Sequence, residues 1–393
     1  MQIYQSLSVE NKILLCVARV VLDEGTKARL TELLSFKIDW EEVFLKAHAH
    51  RLTPLLWFHL KQFKGKIPIQ ILQRIETLYQ ENLKRSFFQT GELIKLCKLF
   101  ETFDIPVIPY KGPALAAQIY GDISLREFAD LDLLIRWTDV HKARKLLLEH
   151  GFQMAVEIPD EKLNLYSRSE CDQVFTRDAT GVYLELHWAI TPPYFCFNLT
   201  TEDLLNNAVD ITLGGRKVKG FKAEELLLVL SVNGTKEIWR RLEWLCAIAE
   251  LIKQNPNLDW ERVQKESRKY KCERTLFVCL YLVRELLEVA LPEDVNKKIE
   301  SDKAIPPIAD IAIESLFQKE RSFSRTKMHL FRLKTRENFF VRVNYCLLRL
   351  TTPTYKDITA IRFPRSLFFL YYLVRPSRLI FNFFAGRLGK KTI

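Results

Sequence analysis

The pattern of apolar and polar positions changes twice along this chain of 393 residues. Over residues 1–103, apolar side chains recur every three to four positions, which is the period of an amphipathic helix. Short apolar runs and alternating segments, which are typical of strands, occupy residues 104–220. Helical periodicity then returns over residues 221–393. The sequence therefore predicts an α+β protein with a small mixed sheet, flanked by N-terminal and C-terminal helical regions.

The segment 105–136 contains the most distinctive pattern. A short apolar run ends in Lys111-Gly112, and Pro113 follows at a position suited to the first turn of a helix. Backbone N–H groups at such a strand-to-helix junction attract phosphate. Glycine lets the backbone approach a ligand closely, and Lys111 adds a positive charge. The junction is therefore a candidate phosphate-binding turn.

Two carboxylates follow this turn. Asp130 and Asp132 are two positions apart at the start of a second apolar run, 131–135, so they would share one face of a strand. Two like charges so close are unfavourable unless a positive charge lies between them. Mg²⁺, which binds through one or two carboxylates plus substrate phosphates, would supply that positive charge. The alternative is an acidic pair at a strand edge that binds no metal.

A third carboxylate is predicted to reach the same place from a later strand. Apolar and polar residues alternate in VYLELHW, residues 182–188, which places Glu185 and His187 on one face. A turn over residues 178–181 precedes this strand, and hairpin geometry would carry Glu185 beside the strand of Asp130. His187 is expected to brace the site by hydrogen bonding, with a direct part in the chemistry as the alternative.

The order Lys-Gly, helix, Arg, Asp-x-Asp and a later Glu-Leu-His-Trp resembles the nucleotidyltransferase superfamily with the polymerase-beta-like fold. It is similar to a group of bacterial nucleotidyltransferase family proteins in which Lys-Gly replaces the usual Gly-Ser turn. The resemblance implies an enzyme that moves a nucleoside monophosphate from a nucleoside triphosphate to an acceptor hydroxyl, with release of pyrophosphate. It also implies that the sheet is a nucleotidyltransferase catalytic core.

The same resemblance implies roles for individual residues. Two Mg²⁺ ions, for which Mn²⁺ can substitute, would be held by Asp130 and Asp132, with Glu185 on the ion at the attacking side. Beside these catalytic carboxylates, the residues implied to bind the nucleotide are Lys111, Gly112 and Arg126, of which Arg126 matches an arginine often found before the Asp-x-Asp.

The resemblance extends to residues 233–242. The related family commonly has a His-Gly…Lys…Trp…Arg-Leu pattern, and this chain has Asn-Gly in place of His-Gly. Lys236 and Arg241 are thereby implied to contact the triphosphate, with a solvated basic face as the alternative. Helical spacing would place Lys236 and Arg240 on one face. The family's following Asp is Ala247 here, which favours the alternative of a non-catalytic nucleotide-binding protein on the same fold.

The charge of the chain bears on its partners. With 59 Lys and Arg against 48 Asp and Glu, the formal net charge is +11, which favours anionic partners such as nucleotides, nucleic acid or membrane. The chain lacks a motif of interleaved basic and aromatic residues like those of RNA-binding modules. A small molecule, peptide or carbohydrate is therefore favoured over RNA as the acceptor.

Cysteine usage and segment composition predict a location. Eight cysteines without a Cys-x-x-Cys pair indicate free thiols in a reducing cytoplasm rather than disulfides or zinc. The first residues, MQIYQSLSVENKILL, have no basic segment ahead of an apolar run, so no secretory signal is expected. No uncharged apolar run reaches the ~18 residues of a membrane span.

The end of the chain, residues 361–393, combines aromatic, aliphatic and basic side chains, and no acidic residue follows Asp357. A basic amphipathic segment of this kind can lie on an anionic membrane surface. Peripheral membrane contact is therefore the alternative for this segment. The favoured interpretation is a helix that packs back against the protein.

Overall fold

The structure, a computed structural model, describes residues 2–317, 325–361 and 363–388. Arg362 and residues 389–393 of the predicted basic tail lie outside these ranges. Helices precede the first strand, and three of them begin at side-chain caps, where Ser8, Asp23 and Asp39 accept a backbone N–H. These helices are α1 (Gln2–Ser6), α2 (Val9–Val17), α3 (Glu24–Leu33), α4 (Trp40–Ala49), α5 (Thr53–Leu60) and α6 (Ile69–Thr102).

A five-stranded mixed sheet follows α6. Its elements in chain order are β1 (Val107–Pro109), α7 (Gly112–Leu115), β2 (Leu131–Ile135), α8 (Val140–Glu149), β3 (Gln153–Met154), α9 (Asp160–Tyr166), β4 (Asp172–Arg177) and β5 (Val182–His187). The strand order is β1–β2–β5–β4–β3. Only β2 and β5 pair in parallel, whereas the other neighbours are antiparallel. The mixed sheet confirms the predicted α+β class.

A small hairpin and a series of helices complete the fold. They are α10 (Thr201–Asn206), β6 (Val209–Leu213), β7 (Arg216–Gly220), α11 (Ala223–Lys236), α12 (Leu242–Gln254), α13 (Trp260–Lys269), α14 (Glu273–Leu287), α15 (Glu293–Ser301), α16 (Ile305–Phe317), α17 (Arg325–Lys334), α18 (Phe339–Thr351), α19 (Tyr355–Ala360) and α20 (Tyr371–Leu388). All eight cysteines are free thiols.

The two faces of the sheet pack into different hydrophobic cores. Leu131 and Leu133 of β2 are fully buried in a core formed with α6 and α8. Leu134 of β2 and Ile108 of β1 instead belong to a second core, which joins α2 and α5 at the start of the chain to α11, α12 and α14. Helices that precede the sheet in the sequence and helices that follow it therefore share one core against the sheet.

The junction between α11 and α12 depends on a close contact of Gly234. Trp239 is fully buried, and its backbone N–H donates to the carbonyl oxygen of Gly234 at 2.9 Å. A Cβ atom at position 234 would overlap the ring of Trp239. Only glycine fits this helix position, because any side chain would displace the tryptophan from the core.

We expect Gly234→Ala to lower the free energy of unfolding by about 1–3 kcal/mol, since overpacking forces the surrounding core to shift. Gly91→Ala in α6 is the matched control, because nothing lies within 4 Å of a Cβ atom built there. Removing a glycine from a helix interior stabilises it by about 0.5–1 kcal/mol. The melting temperature should therefore fall in Gly234→Ala and rise in Gly91→Ala. Equal melting temperatures of the two variants would contradict the packing of Trp239 on Gly234.

Candidate functional site

The parallel pair of β2 and β5 brings two of the predicted carboxylates together. Asp132 lies directly opposite Glu185 in the register of these strands. His187, two residues further along β5, shares the face of Glu185 because side chains alternate along a strand. Its Nε2 lies 3.2 Å from Asp132 Oδ1 and 3.1 Å from Glu185 Oε2. Asp132, Glu185 and His187 thus offer ligand atoms within 4.8 Å of one another.

Lys111 reaches the same carboxylate from the end of β1, the antiparallel neighbour of β2. Its Nζ donates to Asp132 Oδ1 at 2.6 Å. Burial would lower the pKa of Lys111, but the charges of Asp132, Tyr110 and Glu185 outweigh burial and raise this pKa well above its ordinary value. Lys111 is therefore a fixed positive charge next to the paired acids.

His187 supplies a second positive charge to the site. Burial disfavours its charged form, yet the neighbouring Tyr110 and the hydrogen bonds to Asp132, Cys171 and Glu185 raise the pKa of His187 well above its ordinary value. The Tyr110 ring packs edge-on against the imidazole, with 5.3 Å between the ring centroids. His187 is therefore placed to brace both carboxylates by hydrogen bonding.

Asp132 remains ionised in this environment although it is almost completely buried. Burial alone would raise its pKa, but Lys111 and His187 hold the pKa of Asp132 below its ordinary range. Two positive side chains thus compensate for the like charges of Asp132 and Glu185.

Asp130 lies just before β2 and close to the same acids. Burial raises the pKa of Asp130, and the charges of Asp132 and Glu185 add to this, while Lys111 and Arg51 oppose it. Within the described residues, the group of mutually close ligand atoms that includes Asp132 contains His187 rather than Asp130. The structure therefore brings together two of the three predicted acids and places the third beside them.

The turn at Gly112 requires glycine for two reasons. Its φ of 52° lies in the left-handed region, which residues with a Cβ atom rarely adopt. A Cβ atom at position 112 would also lie 3.0 Å from the backbone oxygen of Asp130. Arg126, which is buried, directs Nη1 to the carbonyl oxygen of Gly112 at 3.5 Å. The predicted phosphate-binding turn is thereby held against the segment that contains Asp130.

Arginines from distant parts of the sequence meet near this turn. Arg51 and Arg241 each place Nη1 3.8 Å from Glu243 Oε1. Glu243 is only 2% exposed, and burial raises its pKa, opposed by the charges of Arg126, Arg51 and Arg241. Within the described residues, neither oxygen of Glu243 accepts a hydrogen bond. The group, which we call the arginine cluster, consists of Arg51, Arg126 and Arg241 around Glu243.

Sequence reasoning missed Arg51 and Glu243. The two segments are brought side by side by a contact across 192 positions, where the N–H of Leu242 donates to His50 Nδ1 at 3.4 Å. A pattern in the sequence reports on neighbours within one element, so it contains no signal for such a contact. The positive charges of Arg51 and Arg241 are close enough that Arg51 helps burial to lower the pKa of Arg241.

Lys236 is placed differently from the other predicted site residues. The expectation that Lys236 and Arg240 share a helix face is wrong, because α11 ends at Lys236 and both Ile238 and Trp239 have positive φ values. Burial and nearby acidic charge raise the pKa of Glu170 to about 7, and the positive charge of Lys236 opposes this rise. Lys236 therefore lies beside a different acid from the one that Arg241 contacts.

The donor atoms at the paired acids fit a divalent cation. Asp132 Oδ2 is buried, and within the described residues it has no hydrogen-bond partner, although buried polar atoms are normally paired. Carboxylate oxygens are the ligands that Mg²⁺ prefers, and Mn²⁺ accepts the same donors. The imidazole of His187 lies within hydrogen-bond distance of both acids and belongs with them to the group of side chains that could hold a metal ion.

Comparison with known proteins identifies the family of the chain. A family model described as an uncharacterised nucleotidyltransferase matches residues 37–288. The matched range includes the paired acids, the Lys111-Gly112 turn and the arginine cluster. A search of curated proteins found no match. Because the family match covers more than half of the sequence, the resemblance seen in the sequence is confirmed, and the chain belongs to this family of nucleotidyltransferases.

Proposed function

We propose that the protein transfers a nucleoside monophosphate from a nucleoside triphosphate to an acceptor hydroxyl. The acceptor oxygen forms a bond to the α-phosphorus, the bond from that phosphorus to the bridging oxygen breaks, and pyrophosphate leaves as the hydroxyl loses its proton. The observation that carries this proposal is the placement of Asp132 opposite Glu185, with one oxygen of Asp132 buried and unpartnered among the described residues.

The carboxylates are the proposed metal ligands. Asp130, Asp132 and Glu185 would hold two Mg²⁺ ions, or Mn²⁺ in their place. When bound, these ions supply positive charge to the reacting phosphate and to the attacking and leaving oxygens. His187 holds Asp132 and Glu185 at a fixed separation through its hydrogen bonds. Its part in the reaction is to position the acids.

The phosphates of the nucleotide are proposed to bind at the Lys111-Gly112 turn and the arginine cluster. Lys111 is the positive group nearest to the paired acids, and Gly112 keeps the backbone open for close approach. Arg51, which is partly exposed, would meet the outer phosphates. In this proposal residues 104–220 are the catalytic core, and the helical regions 1–103 and 221–393 each contribute an arginine.

Glu243 is proposed as the residue that positions these arginines. Guanidinium groups repel one another, and a buried carboxylate between Arg51 and Arg241 reduces that repulsion. The cluster carries three positive charges and one negative charge, so a net positive charge is left for an anion. A polyphosphate has the multiple negative charge that such a cluster binds through charge-assisted hydrogen bonds.

The acceptor stays a prediction from the sequence: a small molecule, a peptide or a carbohydrate rather than RNA. The alternative function is nucleotide binding without transfer. Ala247, which suggested that alternative, is buried in the helical core, so this position offers no polar group to an acceptor. We favour transfer because the acids, the turn and the arginines lie together in one site.

The first test is thermal melting of the wild type and Asp132→Asn with each of the four ribonucleoside triphosphates, with and without Mg²⁺. A ligand that binds only the folded state raises the melting temperature. We expect a Mg²⁺-dependent rise with one triphosphate in the wild type and none in the variant, together with at least a ~100-fold loss of pyrophosphate release.

The control for this test is Asp178→Asn, which removes an exposed carboxylate from the turn between β4 and β5 and should behave as the wild type. Pyrophosphate release by Asp132→Asn at the wild-type rate would contradict the proposed site. A Mg²⁺-dependent shift without pyrophosphate release, with all acceptor classes supplied, would assign the protein to the non-catalytic alternative.

The second test examines the arginine cluster with inorganic triphosphate, which has no base or sugar. Arg51→Gln and Arg241→Gln should each weaken its binding about tenfold in calorimetry, because a hydrogen bond to a charged group contributes about 1.5–3 kcal/mol. Arg216→Gln, which removes the same charge from an exposed position of β7, should leave the affinity unchanged. Unchanged affinity in Arg51→Gln would remove the N-terminal helical region from the site.

A further inference from the structure

Exposed apolar side chains are concentrated near the end of the described chain. More of the large apolar side chains that the structure exposes lie between Phe339 and Phe381 than in all the other described residues together. Single exposed apolar residues are normal on a protein surface, whereas a concentration of them marks an interaction site. The elements that present them are α18, a 3₁₀ turn at Arg365–Leu370, and α20.

The outward face of α18 is apolar. Phe340, Val343, Leu347 and Leu350 are all exposed, with Phe340 at 78%. Their spacing of three, four and three residues places them along one side of the helix. A surface helix normally turns its polar side to water. The orientation of α18 is the reverse, with its apolar side facing away from the protein.

The charged residues of α18 are turned toward the protein. Arg342 Nε donates to the carbonyl oxygen of Arg336 at 2.8 Å. The guanidinium of Arg349 lies over the ring of Tyr194, 4.9 Å from its centroid. Tyr345, on the same inner side, is buried. These contacts fix the rotation of the helix, so its apolar face is held outward by the packing of its polar side.

The final helix, α20, has the same arrangement. Leu373, Ile380 and Phe381 are exposed, and their spacing of seven and one residues places them on one side of the helix. On the inner side Tyr371 is fully buried, and its hydroxyl donates to the carbonyl oxygen of Ile361 at 2.7 Å. α20 packs against α18 and α19. The two helices therefore form one unit with apolar residues on its outer surface.

The charge exposed beside these apolar faces is basic. Arg342, Arg349, Arg375 and Arg378 are turned toward the protein, whereas Lys356 of α19 and Arg365 of the 3₁₀ turn are exposed. From residue 338 to the end of the sequence there are ten basic residues, and Asp357 is the only acidic one. Asp357 is fully buried and accepts from Arg378 Nε at 2.5 Å. Its negative charge is therefore paired inside the protein, and the described part of this segment exposes no acidic side chain.

We propose that the outer faces of α18 and α20, which we call the docking face, bind the surface of an anionic lipid bilayer. Helices at a bilayer surface bury their apolar side at the boundary between headgroups and acyl chains. Basic residues near an anionic leaflet add electrostatic attraction to this apolar contact. Among the described helices none is both long and apolar enough to cross a bilayer, so the contact is with the surface.

The basic charge beside the docking face favours a lipid surface over a second copy of the chain as the binding partner. Self-association through the docking face would bring two basic surfaces together, and like charges across an interface oppose binding. An anionic bilayer complements both properties of the face, because its headgroups carry negative charge and its acyl chains accept the apolar side chains. The proposal is independent of nucleotide chemistry, since no residue of the docking face belongs to the candidate site.

The test is co-sedimentation of the full chain with vesicles of phosphatidylcholine alone and of phosphatidylcholine with 30% phosphatidylglycerol. We expect binding to the anionic vesicles that weakens at high salt, and little binding to the neutral ones. A variant carrying Phe340→Gln and Leu347→Gln should bind at least ~10-fold more weakly, because each exposed apolar side chain contributes to partition into the bilayer.

The matched control carries Phe87→Gln and Phe88→Gln in α6, which removes two exposed apolar side chains far from the docking face in the sequence. It should bind vesicles as the wild type does. Equal binding by the wild type and the Phe340→Gln, Leu347→Gln variant would overturn the proposal, as would equal binding to neutral and anionic vesicles. A dimer in the absence of lipid that this variant abolishes would assign the face to a second copy instead.

Discussion

The parallel register of β2 and β5 sets the distance between Asp132 and Glu185, and the rest of the site is arranged around that pair. Two carboxylates at neighbouring positions of a sheet repel one another, and burial of Asp132 increases the cost. Lys111, just after β1, and His187, at the end of β5, offset this cost. The charges of these four side chains largely offset one another, at the place where a nucleotide and its metal ions are proposed to bind.

The helical regions contribute to the site as well as to stability. Helices before and after the sheet in the sequence share one core, and this packing brings Arg51 to Glu243 and Arg241. Glu243 is deeply buried with basic neighbours and without a hydrogen bond among the described residues. Burying such a carboxylate costs free energy of folding. Its position between guanidinium groups is the basis of its proposed role, which is to position Arg51 and Arg241.

Much of the fold and of the site was predictable because the relevant signals are local. Alternation in residues 182–188 indicated the strand of Glu185, and the turn before it indicated the hairpin that returns to β2. The left-handed turn at Ile238 and Trp239 was not predictable, since a β-branched residue rarely adopts positive φ. Arg51 and Glu243 were missed because their contact joins distant segments. The spacing of apolar residues makes α18 two-sided, but such spacing cannot show which side faces the protein.

Separating the sheet from the flanking helices would cost free energy of folding. Ile108, Tyr110 and Leu134 lie in the sheet segment, residues 104–220, yet they are buried in the core that the flanking helices provide. Residues 104–220 produced alone would expose these side chains to water, which costs free energy of folding. The site and its flanks therefore form a single cooperative folding unit, in which a destabilising change in a distant helix also reduces the fraction of molecules with an assembled site.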